Sequence, residues 1–153
     1  MKNLSVCAAI LTLAAGCAAA PNPEQRQEEA AAKQETVEQI LSQPLAAEDY
    51  SEQDRCLSTF SYRSIEVLDD RHVLFRGAGD NVWLNTLRNR CIGLRPNETL
   101  RFSLRDNRVC DMDSFEAVDF QFAGRISGKC TLGPFSRVSP EQAEALALAL
   151  KGD

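Results

Sequence analysis

Residues 54–153 alternate apolar and polar side chains with a period of two. Leu100, Phe102 and Leu104 alternate with polar neighbours, and Val118, Phe120 and Phe122 form a second run with Ala117 on the opposite face. Successive side chains of a β-strand point to opposite faces of a sheet, so this period predicts half-buried antiparallel strands.

Turn signals separate the predicted strands at short intervals. Asp69–Asp70 divides one apolar pair from the next, and the glycine-containing segment 77–81 precedes Val82–Trp83–Leu84. Asp106–Asn107 predicts a third turn, a tight hairpin with positive φ. Near the end, Ser139 and Gln142 form a capping box at the start of a helix. These features predict a mainly β fold: a small antiparallel barrel or sandwich of five to six strands with a short C-terminal helix.

The first residues are typical of an export signal. A short positive start precedes an apolar stretch from Leu4 to Ala15, too short to span a bilayer. The run Ala14-Ala15-Gly16-Cys17 resembles the lipobox of bacterial lipoproteins, which implies a lipoprotein signal peptide over residues 1–16 and lipid attachment at Cys17. Ordinary secretion, with cleavage after Ala20, is the alternative. Ala18 in place of Asp implies the outer membrane, with the protein lipid-anchored and facing the periplasm.

Residues 17–53 form an acidic tether rich in Glu, Gln and Ala. The net charge of the chain is −5, and all of it lies in this segment because the acids and bases of residues 54–153 balance. A chain without a basic excess does not suit nucleic acid as a partner. The composition favours a helix before Pro44, with Val37, Ile40 and Leu41 as a thin apolar stripe. We interpret it as a semi-rigid spacer in preference to a docking helix, with a reach of ~35 Å if it were a flexible coil.

Four cysteines lie in the predicted β domain of residues 54–153: Cys56, Cys91, Cys110 and Cys130. In an exported chain they predict two disulfides. All three pairings remain open, although Cys56 with Cys91 is disfavoured because these residues lie at opposite ends of a simple three-strand meander. A zinc site is disfavoured because its ligands usually come in close pairs.

No pattern of catalytic, metal-ligating or cofactor-binding residues emerges from the sequence. His72 is interpreted as an exposed residue at a strand start, and Gly77-Ala78-Gly79 as part of a hairpin. Asp69–Asp70 is interpreted as a turn, Asp111 with Asp113 as solvated turn residues, and Trp83 as a core residue. Three arginines could bind carboxylates or phosphates if they shared one face of a sheet, but pairing with surface acids is the favoured interpretation. They are Arg63, Arg101 and Arg105.

Several short motifs carry a resemblance over about the last hundred residues. They are Cys56-Leu57, Trp83-Leu84-Asn85, Asn89-Arg90-Cys91-Ile92-Gly93-Leu94, Val109-Cys110 and Cys130-Thr131-Leu132-Gly133-Pro134-Phe135. Together with the Ser-Pro-Glu-Gln helix start, they resemble a family of small proteobacterial lipoproteins with a domain of unknown function. The resemblance implies an exported, disulfide-bearing β domain and supplies no catalytic residues.

The sequence therefore predicts a non-enzymatic lipoprotein that faces the periplasm. The membrane is a partner through lipidated Cys17, and the domain is expected to bind an envelope protein or a cell-wall component. An inhibitor of an exported hydrolase such as a lysozyme is the alternative, and an enzyme of unfamiliar type is a third.

Overall fold

Four strands form the central sheet of the computed structural model, which describes residues 22–43, 54–104, 106–119 and 124–151. The elements in chain order are α1 (Pro23–Leu41), β1 (Cys56–Ser58), β2 (Tyr62–Val67), β3 (His72–Gly77), β4 (Val82–Thr86), β5 (Thr99–Phe102), β6 (Arg108–Cys110), β7 (Ser114–Asp119), β8 (Gly124–Arg125), β9 (Cys130–Thr131), β10 (Phe135–Val138) and α2 (Pro140–Lys151). The predicted signal peptide, Cys17 and the Pro44 stop signal lie outside the described residues.

Every strand pair is antiparallel, as the period-two pattern predicts. The central sheet has the order β10-β4-β3-β2, a second sheet pairs β7 with β5, β8 and β9, and β1 pairs with β6 as a two-stranded ribbon. The fold is mainly β, and the described strands form open sheets and no closed barrel. The strands are also more numerous than the five or six predicted, because several contain only two or three residues.

The central sheet is buried on both of its faces. One face contributes Phe75 and Phe135 to a main core that also contains Phe115 of the second sheet. The opposite face contributes Leu74 and Leu84 to a second core beneath the two helices. Alternation within β3 and β4 therefore fills two cores, and both strands are continuously apolar through most of their length.

The central hairpins form where the turn signals predict them. Asp69 and Asp70 lie between β2 and β3, and the glycine-containing turn lies between β3 and β4, where Gly79 has φ +62°. The Asp106–Asn107 hairpin is wrong: β5 pairs with β7, and β6 pairs with β1, which precedes it by about fifty residues. The positive-φ residues outside glycine are Asn97 and Met112 among the described residues.

Ala117 also differs from its predicted position. The alternation placed Ala117 opposite Val118, on the outer face, yet Ala117 is fully buried in the main core, and Val118 is buried as well. Phe120 and Phe122, the other members of that run, lie outside the described residues.

Helix α2 begins with the predicted capping box. The Ser139 amide donates to the Gln142 side chain at 2.9 Å, and the Gln142 amide donates to the Ser139 hydroxyl at 3.1 Å. The helix buries Ala143, Leu146 and Leu150 against the central sheet.

Helix α1 forms as predicted, but the interpretation of it as an undocked spacer is wrong. Val37 is buried in the second core, with Ile40 packed against the same cluster. The Gln142 side chain donates to the carbonyls of Ile40 and Gln43, both at 3.1 Å, at the C-terminal end of α1. A thin apolar stripe is enough for docking because Gln142 also donates two hydrogen bonds to carbonyls at the helix end.

Candidate functional site

Two edge strands flank a groove on the surface. Strand β2 is the last strand of the central sheet, and β5 is the edge of the second sheet. The groove between them has a volume of about 510 Å³ and is lined by Tyr62–Val67 from β2 and by residues 97–100 at the start of β5. We call it the β2–β5 groove.

The ladder of the central sheet determines which backbone groups of β2 face the groove. The Leu68 amide donates to the His72 carbonyl at 2.9 Å, and Glu66 lies opposite Leu74. Bonded and non-bonded pairs alternate in an antiparallel ladder, so the amides and carbonyls of Ile65 and Val67 point away from β3. Ile65 is half-buried and leaves its backbone groups at the open edge of the sheet, whereas Val67 is only 2% exposed and its backbone groups are covered.

The same alternation holds in β5. The Ser103 amide donates to the Ser114 carbonyl at 3.2 Å, and Arg101 lies opposite Glu116. The backbone groups of Leu100 therefore point away from β7, toward the open edge. Strand edges of this kind can accept another strand by main-chain hydrogen bonding.

Apolar side chains form the base of the groove. Tyr62, Ile65 and Leu100 pack against the main core, and the ring of Tyr62 meets Phe75 edge to face at a centroid distance of 5.2 Å. Burial raises the pKa of the Tyr62 hydroxyl, so it remains a neutral hydrogen-bonding group at physiological pH. Phe60, in the turn before β2, is 84% exposed.

The charged side chains of β2 differ in how they are paired. Glu66 accepts from Arg76 at 2.7 Å and lies 2.6 Å from the Lys151 ammonium. Burial opposes ionisation of Glu66, but the bonds from Lys151 and Arg76 outweigh it and hold its pKa below the usual value. Arg63 is exposed and has no ion-pair partner among the described residues.

A bulge explains why the predicted strand pattern did not identify this groove. The register of β2 against β3 shifts between Tyr62 and Ser64, which interrupts the alternation at Arg63. The sequence also contains no local signal that β2 and β5 lie at two different sheet edges, because each edge is defined by pairing with other strands.

The predicted cysteines form two disulfides, Cys56 with Cys110 and Cys91 with Cys130. The first joins the paired strands β1 and β6. The second links the segment after β4 to β9, and both of its cysteines are buried in the main core. The disfavoured pair, Cys56 with Cys91, does not form. The described residues contain no cluster of His, Cys, Asp and Glu that could hold a metal ion.

His72 begins β3 as predicted, but its expected exposure is wrong, since it is 8% exposed. Its Nδ1 lies 3.0 Å from Asp69 Oδ1, and that carboxylate also accepts from the amides of Arg71 and His72 at 2.8 and 2.7 Å. Burial opposes ionisation of Asp69, but the His72 side chain and these amides outweigh it and lower its pKa. Asp70 does not join this group of hydrogen bonds and instead forms an ion pair with Arg90 at 3.0 Å.

The other candidate residues serve the fold. Asp111 and Asp113 lie in a turn, as predicted, but the expected solvation of Asp111 is wrong: its side chain is 7% exposed and accepts from Arg88 at 2.8 Å. Asp113 accepts from the Cys110 amide at 2.7 Å. Trp83 is buried in the main core, where its Nε1 donates to Asp54 at 3.2 Å. Arg101 pairs with Glu116 at 2.8 Å, whereas Arg105 lies outside the described residues.

A family model describing a family of unknown function, DUF6491, matches residues 1–152. The chain belongs to this family. The match covers nearly the whole length of the chain, including the N-terminal segment and both helices. Comparisons with curated proteins and with solved structures gave no significant match. No described helix of this DUF6491 protein is both long enough and apolar enough to cross a membrane.

Proposed function

We propose that this DUF6491 protein is an exported, lipid-anchored binding protein without enzymatic activity. Its β2–β5 groove binds an extended segment of another envelope protein. The observation that carries the proposal is the presence of two open strand edges on opposite sides of one groove with an apolar base.

The backbone groups around the groove favour a polypeptide as the ligand. An extended segment between β2 and β5 accepts and donates main-chain hydrogen bonds at Ile65 on one side and at Leu100 on the other. Its alternate side chains contact Tyr62 and the apolar base. A cell-wall glycan lacks the regular amide and carbonyl spacing that these edges match.

Two further observations support an extracytoplasmic location. The disulfides Cys56–Cys110 and Cys91–Cys130 are typical of proteins that mature in oxidising compartments. The run that ends at Cys17 has the pattern of a lipid-attachment site.

The proposed anchor and the first helix are close together in the sequence. Because α1 begins at Pro23, five residue-to-residue steps, from Cys17 to Asn22, separate the anchor from the helix. At ~3.6 Å per residue this stretch can reach at most about 18 Å, compared with the ~35 Å reach of the whole segment as a flexible coil. The domain then lies on the periplasmic side of the outer membrane.

Site-specific cross-linking tests the binding site. A photoreactive amino acid at position 63, in the full chain expressed in its native envelope, is expected to give one defined protein adduct. The same amino acid at Glu144, an exposed position on α2, is the control. Equal adducts at both positions would contradict a specific groove.

Proline substitution then distinguishes strand addition from general surface contact. Ile65→Pro removes an amide that faces the groove and leaves the β2–β3 ladder bonds in place. Ile65→Ala loses similar packing but keeps the amide, so it is the matched control. We expect the adduct to be lost with proline and retained with alanine. Retention in both variants would refute strand addition at β2.

Palmitate labelling tests the anchor separately. Wild-type chain is expected to incorporate label, and Cys17→Ala is expected to incorporate none. Label that persists in the variant would exclude lipid attachment at Cys17.

A further inference from the structure

A second cavity lies between helix α1 and the turn that joins β2 to β3. Its volume is about 460 Å³, within the roughly 300–1,000 Å³ of small-molecule sites. Ala30, Ala31, Val37 and Leu41 contribute apolar surface from α1, and the turn residues 69–72 form the opposite wall. The cavity is separate from the β2–β5 groove, with which it shares no lining residue.

Arg71 is the unusual residue of this wall. Its Nε is shielded from solvent and has no hydrogen-bond partner, and its guanidinium makes no ion pair with the described residues. A buried donor without an acceptor costs about 1–3 kcal/mol, so such groups are normally satisfied by protein, water or ligand. The guanidinium therefore offers unused donors at the wall of a cavity.

The charged neighbours of Arg71 have other partners. Asp69 is bonded to His72 and to two backbone amides, and Asp70 pairs with Arg90. The helix wall contributes one base, Lys33, and one acid, Glu38. The cavity wall thus leaves the positive charge of Arg71 without a direct counter-ion.

Arg137 shows how the same kind of donor is accommodated elsewhere. Its Nε is also shielded from solvent, and its guanidinium bonds to Asn81 and lies over the ring of Trp83, 5.1 Å from the ring centroid. Arg71 has no such aromatic or amide partner among the described residues, and it borders open volume.

We propose that the cavity between α1 and the β2–β3 turn binds a small carboxylic acid with an apolar body. The carboxylate accepts hydrogen bonds from the Arg71 guanidinium, and the apolar body lies against Ala30, Ala31 and Val37 of α1. A guanidinium matches the planar carboxylate geometry. A dianionic phosphate fits less well because Asp69 and Asp70 lie on the same wall.

Calorimetric titration of the full chain with decanoate tests this site, with decanol as the uncharged probe of equal length. We expect saturable, one-to-one binding of decanoate and at least about tenfold weaker binding of decanol. Equal affinity for the two probes would overturn the role of a cation in the site.

Arg71→Gln keeps much of the side chain and removes its charge. We expect it to weaken decanoate binding about tenfold or more, whereas Arg108→Gln, an equivalent change at an exposed position of β6 outside both cavities, leaves the affinity unchanged. Ala31→Trp fills the cavity from the exposed side of α1 and is expected to abolish binding. Unchanged affinity in Arg71→Gln or in Ala31→Trp, with a native circular dichroism spectrum, would refute the proposed site.

Discussion

At the scale of single residues, the turn before β3 combines a structural and an electrostatic role. Asp69 closes the turn by accepting from two backbone amides, and it also holds the ring of His72. These hydrogen bonds favour the ionised carboxylate and lower its pKa despite burial. In the unfolded chain the pKa of this carboxyl is near 3.8, and in the folded protein it is lower. Ionised Asp69 therefore stabilises the folded protein fully at pH values above 3.8. This stabilisation is lost as the pH falls through the lower pKa of the folded protein.

The effect of Asp69 on stability should therefore depend on pH. We expect Asp69→Asn to lower the free energy of unfolding at pH 7 by about 1–2 kcal/mol, and by less at pH 3. Urea titrations followed by Trp83 fluorescence, with the disulfides intact, measure this difference. Asp106→Asn, at an exposed bend, is the control and should change neither value. An equal loss of stability at both pH values would contradict the proposed charge effect.

At the scale of elements, local sequence signals predicted those parts of the fold that local interactions determine. The Asp69–Asp70 turn, the β3–β4 hairpin and the Ser139 capping box each depend on residues close together in the chain. The pairing of β1 with β6 and the two open edges depend on contacts across tens of residues. The period of two indicates which face is buried but contains no information about the neighbouring strand.

The sequence analysis did not predict the docking of α1 onto the domain. Val37 provides most of its buried contact, and Gln142, about a hundred residues away, completes it. We expect Val37→Asp to release α1 because it places a charge in the second core. Trypsin cleavage after Lys33 should then become about tenfold faster, since local opening becomes less costly.

The release of α1 has a matched control in the same helix. Glu35→Ala changes an exposed position and should leave the rate of cleavage after Lys33 unchanged. Similar rates in Val37→Asp and in the unmodified chain would show that α1 is not docked in solution.

At the scale of the whole molecule, three layers and two disulfides hold the groove in place. The helices cover one face of the central sheet, and the second sheet and the β1–β6 ribbon cover the other. Cys56–Cys110 closes a sequence separation of 54 residues, and Cys91–Cys130 one of 39. The disulfides connect segments far apart in the chain, and therefore restrict the unfolded state.

Both disulfides should stabilise the domain to a similar extent. We expect Cys56→Ser with Cys110→Ser, and separately Cys91→Ser with Cys130→Ser, to lower the free energy of unfolding by about 2–4 kcal/mol each. Thermal or urea unfolding measures the loss, and non-reducing peptide mapping checks the pairing. Recovery of a Cys56–Cys91 peptide would contradict the arrangement of the strands.

Amide hydrogen exchange tests the open strand edges most directly. In the free full chain, the amides of Ile65 and Leu100 should exchange faster than those of Glu66 and Arg101, which bond within their sheets. When the partner captured at position 63 is bound, the amides of Ile65 and Leu100 should become protected. Slow exchange of Ile65 and Leu100 without a partner, or no added protection with it, would contradict strand addition in the β2–β5 groove.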